Sequence, residues 1–224
     1  MCMTNPNNFV VPEHKLVFFG TPKTASSSQK KAVALTFGRL APDEVKGEGK
    51  GGGLPLKVVN KRFEFWPKHK VDEVQQADAE WLSFVVVRNP YDRFVSLWNE
   101  RVRPRERGHW KRNMPGGLSL EELAEWLSDK ADDEVDHHCR TQASANAIDG
   151  RMVPKVVMRF ETLAEDWKGT QRLVRERTGH DLPDLDRLRD GERKNSYRDV
   201  MTDRCRALVE QRYAEDFALL GYGW

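Results

Sequence analysis

Two short stretches limit the folds open to this chain more than anything else in it. In LVFFGTPKTASSS (16–28) and LSFVVVRNPYDRFVS (82–96), a run of apolar residues stops at a polar turn, and a helix-competent segment follows. A short continuous apolar run reads as a strand covered on both faces, as in parallel sheets with helices on either side. KVVMRF (155–160) is a third run of this kind, and LKVVN (56–60) and RFEFW (62–66) read as shorter strands. Strands alternating with helical segments predict an α/β fold: a single domain with a central, mainly parallel sheet flanked by helices.

Local signals place the helices. One is expected from about Ser27 to Phe37, and another in VDEVQQADAEW (71–81). A third starts at Asn89 as N-cap with Pro90 in the first helical position. Ser119 and Glu122 form the pattern of a capping box ahead of a fourth. The C-terminal third reads as helical and closes at Gly221. Residues 1–14 read as an irregular lead-in and 15–224 as the folded domain. APDEVKGEGKGGGLP (41–55), with five glycines and two prolines, reads as a flexible loop.

The polar turns carry the chemistry. Ligands of open α/β sheets bind beyond the carboxyl ends of strands, where helix N-termini present free N–H groups. In the first turn small residues allow close backbone approach, Ser26, Ser27 and Ser28 add hydroxyl donors, and Lys23 adds a positive charge. The nucleoside-triphosphate loop G-x-x-x-x-G-K-[ST] is absent. Taken alone, this turn fits a bound anion and a simple serine cap equally well. The second stretch favours the anion. Arg88 ends a buried strand, where its guanidinium is placed to fork onto a phosphate, and Ser96 lies eight residues further on. Two such turns in one chain suggest a ligand with phosphate groups at both ends.

These residues resemble a known family. PKTASSS is similar to the 5′-phosphosulfate loop of the carbohydrate sulfotransferases (Golgi-type, family 2), and RNPYDRFVS to their 3′-phosphate motif R-[DN]-P-x-x-R-x-x-S. KH (68–69), HCRTQ (138–142), RFETL (159–163), KNS (194–196) and the C-terminal LVEQRYAEDFALLGYGW agree in order, so the resemblance runs from about Lys15 onward. Ala25 and Ser26 stand where glycines are common, and Cys139 where an aromatic residue is typical.

The resemblance implies a P-loop-like nucleotide-binding sulfotransferase fold and transfer of a sulfuryl group from 3′-phosphoadenosine 5′-phosphosulfate (PAPS) to an alcohol or amine, without a metal. It implies that Lys23 stabilises the leaving phosphate and that Thr24, Ala25, Ser26, Ser27 and Ser28 hold the 5′ end. Arg88 and Ser96 would hold the 3′-phosphate, assisted by Lys194 and Ser196. An imidazole titrates near neutrality and suits a general base. His69 matches the family position that often carries the base, with His138 the second choice and more readily an acceptor contact beside Arg140 and Gln142.

The segment RVRPRERGHWKR (101–112) has six Arg or Lys against one Glu. It reads either as a solvated mobile loop or as an acceptor contact, with Trp110 stacking on a flat face and Arg103 and Arg105 meeting anions. The acceptor expected is a carbohydrate or another small molecule, one that carries negative charge.

Bulk properties exclude other classes. The formal charge is +2, from 37 basic and 35 acidic residues, so no overall field argues for nucleic acid. No apolar run approaches the roughly 20 residues of a membrane span, and no signal peptide pattern is present. Three widely spaced cysteines argue against a disulfide framework and for a cytoplasmic location. No His/Cys/Asp cluster with ligand spacing stands out. The rival readings are a nucleotide-dependent small-molecule kinase, which lacks its triphosphate loop here, and a non-catalytic nucleotide- or polyanion-binding module, which would need no base.

Overall fold

The apolar runs do become strands, and the N-terminal residues join them. The computed structural model describes residues 8–45, 56–109, 113–185 and 196–224, which fall into two compact units. The first comprises Met3–Val86 and Met152–Arg189, the second Val87–Arg151 and Asp190–Trp224.

The first unit is built on a five-stranded sheet. Its strands are β1 (Asn8–Val11), β2 (Leu16–Phe19), β3 (Glu64–Trp66), β4 (Leu82–Val87) and, after the two-residue strands β5 (Ala147–Ile148) and β6 (Arg151–Met152), β7 (Val156–Arg159). Their order is β3-β1-β2-β4-β7. β2 and β4 pair in parallel with Phe19 opposite Val85, whereas β1 is antiparallel to both β2 and β3. The sheet is therefore mixed rather than mainly parallel. The expected irregular lead-in is corrected on the same ground: Asn8–Val11 are buried strand residues, and Pro12–His14 form a single 3-10 turn that reverses the chain into β2.

Helices cover this sheet. They are α1 (Ser26–Thr36), α2 (Pro42–Val45), α3 (Leu56–Arg62), α4 (Lys68–Ala77) and α8 (Leu163–Thr178). The expected strand at 56–60 is helical instead, and Val59 on α3 joins the core. The expected loop at 41–55 begins as the short helix α2, and its glycine-rich remainder lies outside the described residues. Across the sheet Phe9 stacks on Phe18 at 5.4 Å between ring centres, and Phe18 on Phe84 at 4.9 Å. This ladder, with Ala32, Val33 and Ala34 from α1 and Trp167 and Val174 from α8, makes the core.

The second unit is helical: α5 (Pro90–Leu97), continued by a π-helical turn (Trp98–Val102), α6 (Leu120–Leu127), α7 (Gln142–Asn146), α9 (Tyr197–Val200), α10 (Asp203–Arg212) and α11 (Ala214–Leu220). Its own core gathers Tyr91, Phe94 and Leu97 with Leu123, Leu127, Val209 and Tyr213. Both predicted helix starts are present: Asn89 Oδ1 accepts the Tyr91 N–H at 3.0 Å, and Ser119 and Glu122 close a capping box. Among the described residues no helix is long and apolar enough to cross a membrane.

One charge in the first unit sits badly. Lys30 on α1 is 9% exposed, with its ammonium 3.0 Å from Asn60 Oδ1 and 4.9 Å from the Phe65 ring centre. Burial pushes its pKa down from 10.5 to about 8. A lysine whose pKa is lower in the folded state destabilises the fold while it is protonated in both states, and the penalty lifts as pH rises between the two values. Lys30→Met is therefore expected to raise stability at pH 7 by up to about 3 kcal/mol, with the gain shrinking toward pH 10. Thermal melts of both proteins across that range are the check.

Candidate functional site

The carboxyl edge of the sheet organises the first unit's polar residues. Because β1 runs against both neighbours, β2 and β3 point the same way, and β4 is parallel to β2. Phe18 and Phe65 both lie opposite Phe9, so β2 and β3 end level with each other. Two inter-strand spacings separate them, about 10 Å. The turn bearing Lys23 follows β2, the helix bearing His69 follows β3, and β4 leaves the same edge directly into Arg88.

The turn after β2 is not a serine cap. Ala25 occupies the N-cap position of α1 in a left-handed conformation (φ 63°) and gives no side-chain cap. Lys23 is also left-handed, at φ 69°. Non-glycine residues adopt such angles at a cost of order 1 kcal/mol each, and alternation of backbone handedness turns successive N–H groups into an anion-binding concavity. Of the first N–H groups of α1, that of Ser28 donates back to Ala25 O at 3.0 Å, which leaves those of Ser26 and Ser27 without intrahelical acceptors. Ser26 and Ser28 are half-buried and Ser27 exposed, and no hydrogen bond engages their hydroxyls among the described residues. Beneath the turn, the fully buried Gln29 donates to Thr24 O at 3.2 Å while its Oε1 has no partner. Thr24 departs from expectation. Its buried hydroxyl donates to Thr21 O at 2.9 Å and so closes the turn, instead of facing a ligand.

His69 lies exposed in the first turn of α4, and no hydrogen bond or ion pair engages it among the described residues. Next to it Lys70 lies over the Trp66 ring at 4.0 Å.

In the second unit Arg88 is held by an amide. Its N–H donates to Gln142 Oε1 at 2.9 Å, and its carbonyl accepts from Gln142 Nε2 at 2.8 Å. Gln142 is fully buried, and its own N–H and that of Ala143 donate to Asp216 at 2.9 and 2.7 Å. Burial raises the Asp216 carboxyl above its usual range against the pull of the nearby Arg93 and of these amides. The expected acceptor contact of Gln142 is thus corrected: both ends of its amide are occupied by the Arg88 backbone. Ser96 on α5 is 8% exposed, and its hydroxyl has no hydrogen bond among the described residues.

The H-x-R-x-Q segment is tied to the same helix by Arg93, which the sequence reading passed over. Its guanidinium donates to Arg140 O at 2.7 Å and His138 O at 3.3 Å. Arg140 is half-buried, with its Nε 3.4 Å from Val135 O. His138 Nδ1 lies 2.5 Å from Asp136 Oδ1, and its Nε2 3.1 Å from Arg101 Nη2. Arginine can only donate, so Nε2 is the acceptor and Nδ1 carries the proton shared with the carboxylate. Burial opposes charge on Asp136, yet the hydrogen bonds from His138 hold its carboxyl down at about 2. Asp136, His137 and His138 also bring three ligand-type atoms within 4.8 Å of one another, a group that could hold a metal ion. The sequence shows no cluster with ligand spacing, and this group, being contiguous, has none either.

The basic segment closes on itself. Gly116 N–H donates to His109 O at 2.7 Å and Gly117 N–H to Val102 O at 2.8 Å. Gly117 is left-handed (φ 69°), and a Cβ there would meet Arg107 N at 2.5 Å. Arg103 is exposed over the Trp98 ring at 5.2 Å, while Arg105 has a buried Nη1 without a hydrogen-bond partner. Trp110 and Lys194 lie outside the described residues. Ser196 is exposed, and its Oγ caps α9 by accepting the Arg198 N–H at 3.3 Å.

The sequence comparison joins these pieces, because the match to the sulfotransferase family extends over residues 6–223. The chain belongs to the sulfotransferase family. One curated relative, carbohydrate sulfotransferase 10 of Danio rerio, is 23% identical over 147 residues, which is 54% of this chain and 38% of that protein. The chain thus matches well under half the length of that relative. No solved structure matches. Within the family match lie both polar turns, His69 and the H-x-R-x-Q segment.

The amide clamp has a measurable consequence. Gln142→Leu removes the partners of two buried backbone groups, each worth about 1–3 kcal/mol when left unsatisfied. Denaturant unfolding is expected to show a loss of at least about 2 kcal/mol. A neutral result would mean that the Arg88 backbone finds other partners.

Proposed function

We propose that the protein transfers the sulfuryl group of PAPS to a hydroxyl or amine of a carbohydrate or other small-molecule acceptor. The observation that carries this reading is the uncapped, left-handed turn after β2 (Lys23 φ 69°, Ala25 φ 63°), lying within the sulfotransferase match. Its donor set fits the group: the N–H groups of Ser26 and Ser27 at the helix start, three serine hydroxyls without partners among the described residues, and one ammonium.

PAPS, when bound, supplies a sulfuryl group on a phosphate that can leave. The first turns of α1 and the hydroxyls of Ser26, Ser27 and Ser28 bind the 5′ end. Lys23 stabilises negative charge on the departing phosphate oxygen, a role that is largest in the transition state. Arg88 and Ser96 take the 3′-phosphate, with Lys194 and Ser196 assisting. His69, exposed and unengaged, accepts the acceptor's proton. The lone pair of His138 Nε2 is already taken by Arg101, which favours an orienting role for His138 over that of base.

The similarity to carbohydrate sulfotransferase 10 of Danio rerio supports a carbohydrate acceptor. The buried, unpartnered Nη1 of Arg105 supports an anionic one. A reducing, cytoplasmic compartment completes this reading, in keeping with the free Cys139 and Cys205 among the described residues.

The desulfated product, 3′-phosphoadenosine 5′-phosphate, should raise the melting temperature with chelator present. At a hundredfold excess over its Kd the stabilisation is about 2.7 kcal/mol. AMP, which lacks the 3′-phosphate, should do far less; equal shifts would remove Arg88 and Ser96 from the site. Lys23→Ala should lower kcat by about 100-fold or more while changing bisphosphate affinity less. Steady-state kinetics beside calorimetry separate the two effects, and an equal loss in both would make Lys23 a ground-state binding residue.

A further inference from the structure

Arg88 is not an empty fork. Its Nε and Nη2 lie 2.9 and 2.8 Å from the same oxygen of Asp92, and the two side chains are only 8% and 20% exposed. The ordinary explanation is a helical i,i+4 ion pair, but Arg88 lies before the N-cap Asn89 and outside α5. Asp92, in the first turn of α5, instead folds back over the helix start to reach the end of β4. Its carboxylate therefore occupies the kind of position an anion takes: beside a helix N-terminus and against a guanidinium whose backbone is clamped by Gln142.

We propose that Asp92 is a built-in counter-anion of the 3′-phosphate subsite, and that it sets the affinity and selectivity of the protein for 3′-phosphorylated nucleotides. The proposal rests on the assignment of Arg88 to that phosphate. In the ligand-free protein the carboxylate neutralises a nearly buried guanidinium and holds the fork in place. A ligand must then displace or share this contact against a like charge. A singly charged or neutral group gains little by replacing one carboxylate with another weak partner. A doubly charged phosphate, with three oxygens and the uncapped Ser96 hydroxyl at hand, gains enough to do so. Asp92 thus weakens binding of the 3′-phosphate, which must compete with a like charge for Arg88, and leaves a nucleotide without that phosphate unaffected.

Asp92→Asn keeps the shape and an oxygen acceptor for Arg88 and removes only the charge. Titration calorimetry on the full chain, with chelator present, is expected to show 3′-phosphoadenosine 5′-phosphate binding about tenfold more tightly to this variant, with AMP affinity unchanged. Asp92→Glu should keep the parent affinities, and Asp92→Ala should tighten the bisphosphate as Asn does, which guards against a folding defect in either single variant. Unchanged or weaker bisphosphate binding in both neutral variants overturns the proposal, as does equal tightening of AMP. A parent protein that fails to distinguish the bisphosphate from AMP is a different failure: it removes Arg88 from the phosphate site and the proposal with it.

Discussion

Strand β1 runs against β2 and β3, and that reversal decides where the polar residues of the first unit emerge. With β1 between them, β2 and β3 share one direction and end level, while parallel pairing fixes β4 to β2. A one-residue slip in any of these pairings would turn the buried face of a strand outward. The Phe9–Phe18–Phe84 ladder resists such a slip, since each ring stacks on the next across neighbouring strands. Packing in the core therefore controls the placement of the Lys23 turn and of the His69 helix, although neither residue belongs to that core.

Charge is handled differently in the two units. In the first, Lys30 is buried with only an amide oxygen and aromatic faces for company, and its lowered pKa records that deficit. In the second, two buried arginines face carboxylates, Arg88 with Asp92 and Arg212 with Asp132, and Arg93 donates to the carbonyls of His138 and Arg140. Removing one member of such a set leaves the other buried without a counter-charge, which costs more than the pair itself contributes. The H-x-R-x-Q segment is held in this way at three points, by Arg93, by the Tyr213 hydroxyl on Cys139 O at 2.9 Å, and by Asp216 on the amides of Gln142 and Ala143. Such a segment is rigid before any ligand arrives.

What the sequence revealed was local, and what it concealed was long-range. Strands β2, β4 and β7, the Asn89 and Ser119 caps and the left-handed Gly221 at the end of α11 each rest on neighbouring residues, and each appeared where the pattern put it. The NFVV strand was missed because four residues after a polar stretch carry no period, and only pairing with β2 and β3 makes them a strand. LKVVN looked like a strand by its β-branched pair but is helical, with Val59 turned into the core. Gln142 was placed at the acceptor because its motif suggested it. Its actual partners, Arg88 and Asp216, lie 54 and 74 positions away, and no local spacing announces such bonds. Asp92 and Arg93 sat in full view inside the phosphate motif, but their partners follow only from the backbone trace.

The two left-handed residues after β2 bear on the choice between a structural and a ligand-binding turn. Were the turn purely structural, glycine at 23 or 25 would remove the strain, and a serine one position earlier would cap α1. The chain does neither. It places a lysine and an alanine at positive φ, leaves the helix uncapped, and sets three hydroxyls around the opening. Strain of this kind persists only where the surrounding structure enforces it. Here Thr24 on Thr21 O and Gln29 on Thr24 O brace the turn from below, so the backbone is held open on its outer side. An opening held at a cost, with an ammonium, hydroxyls and helix N–H groups in its sequence, is a place prepared for negative charge.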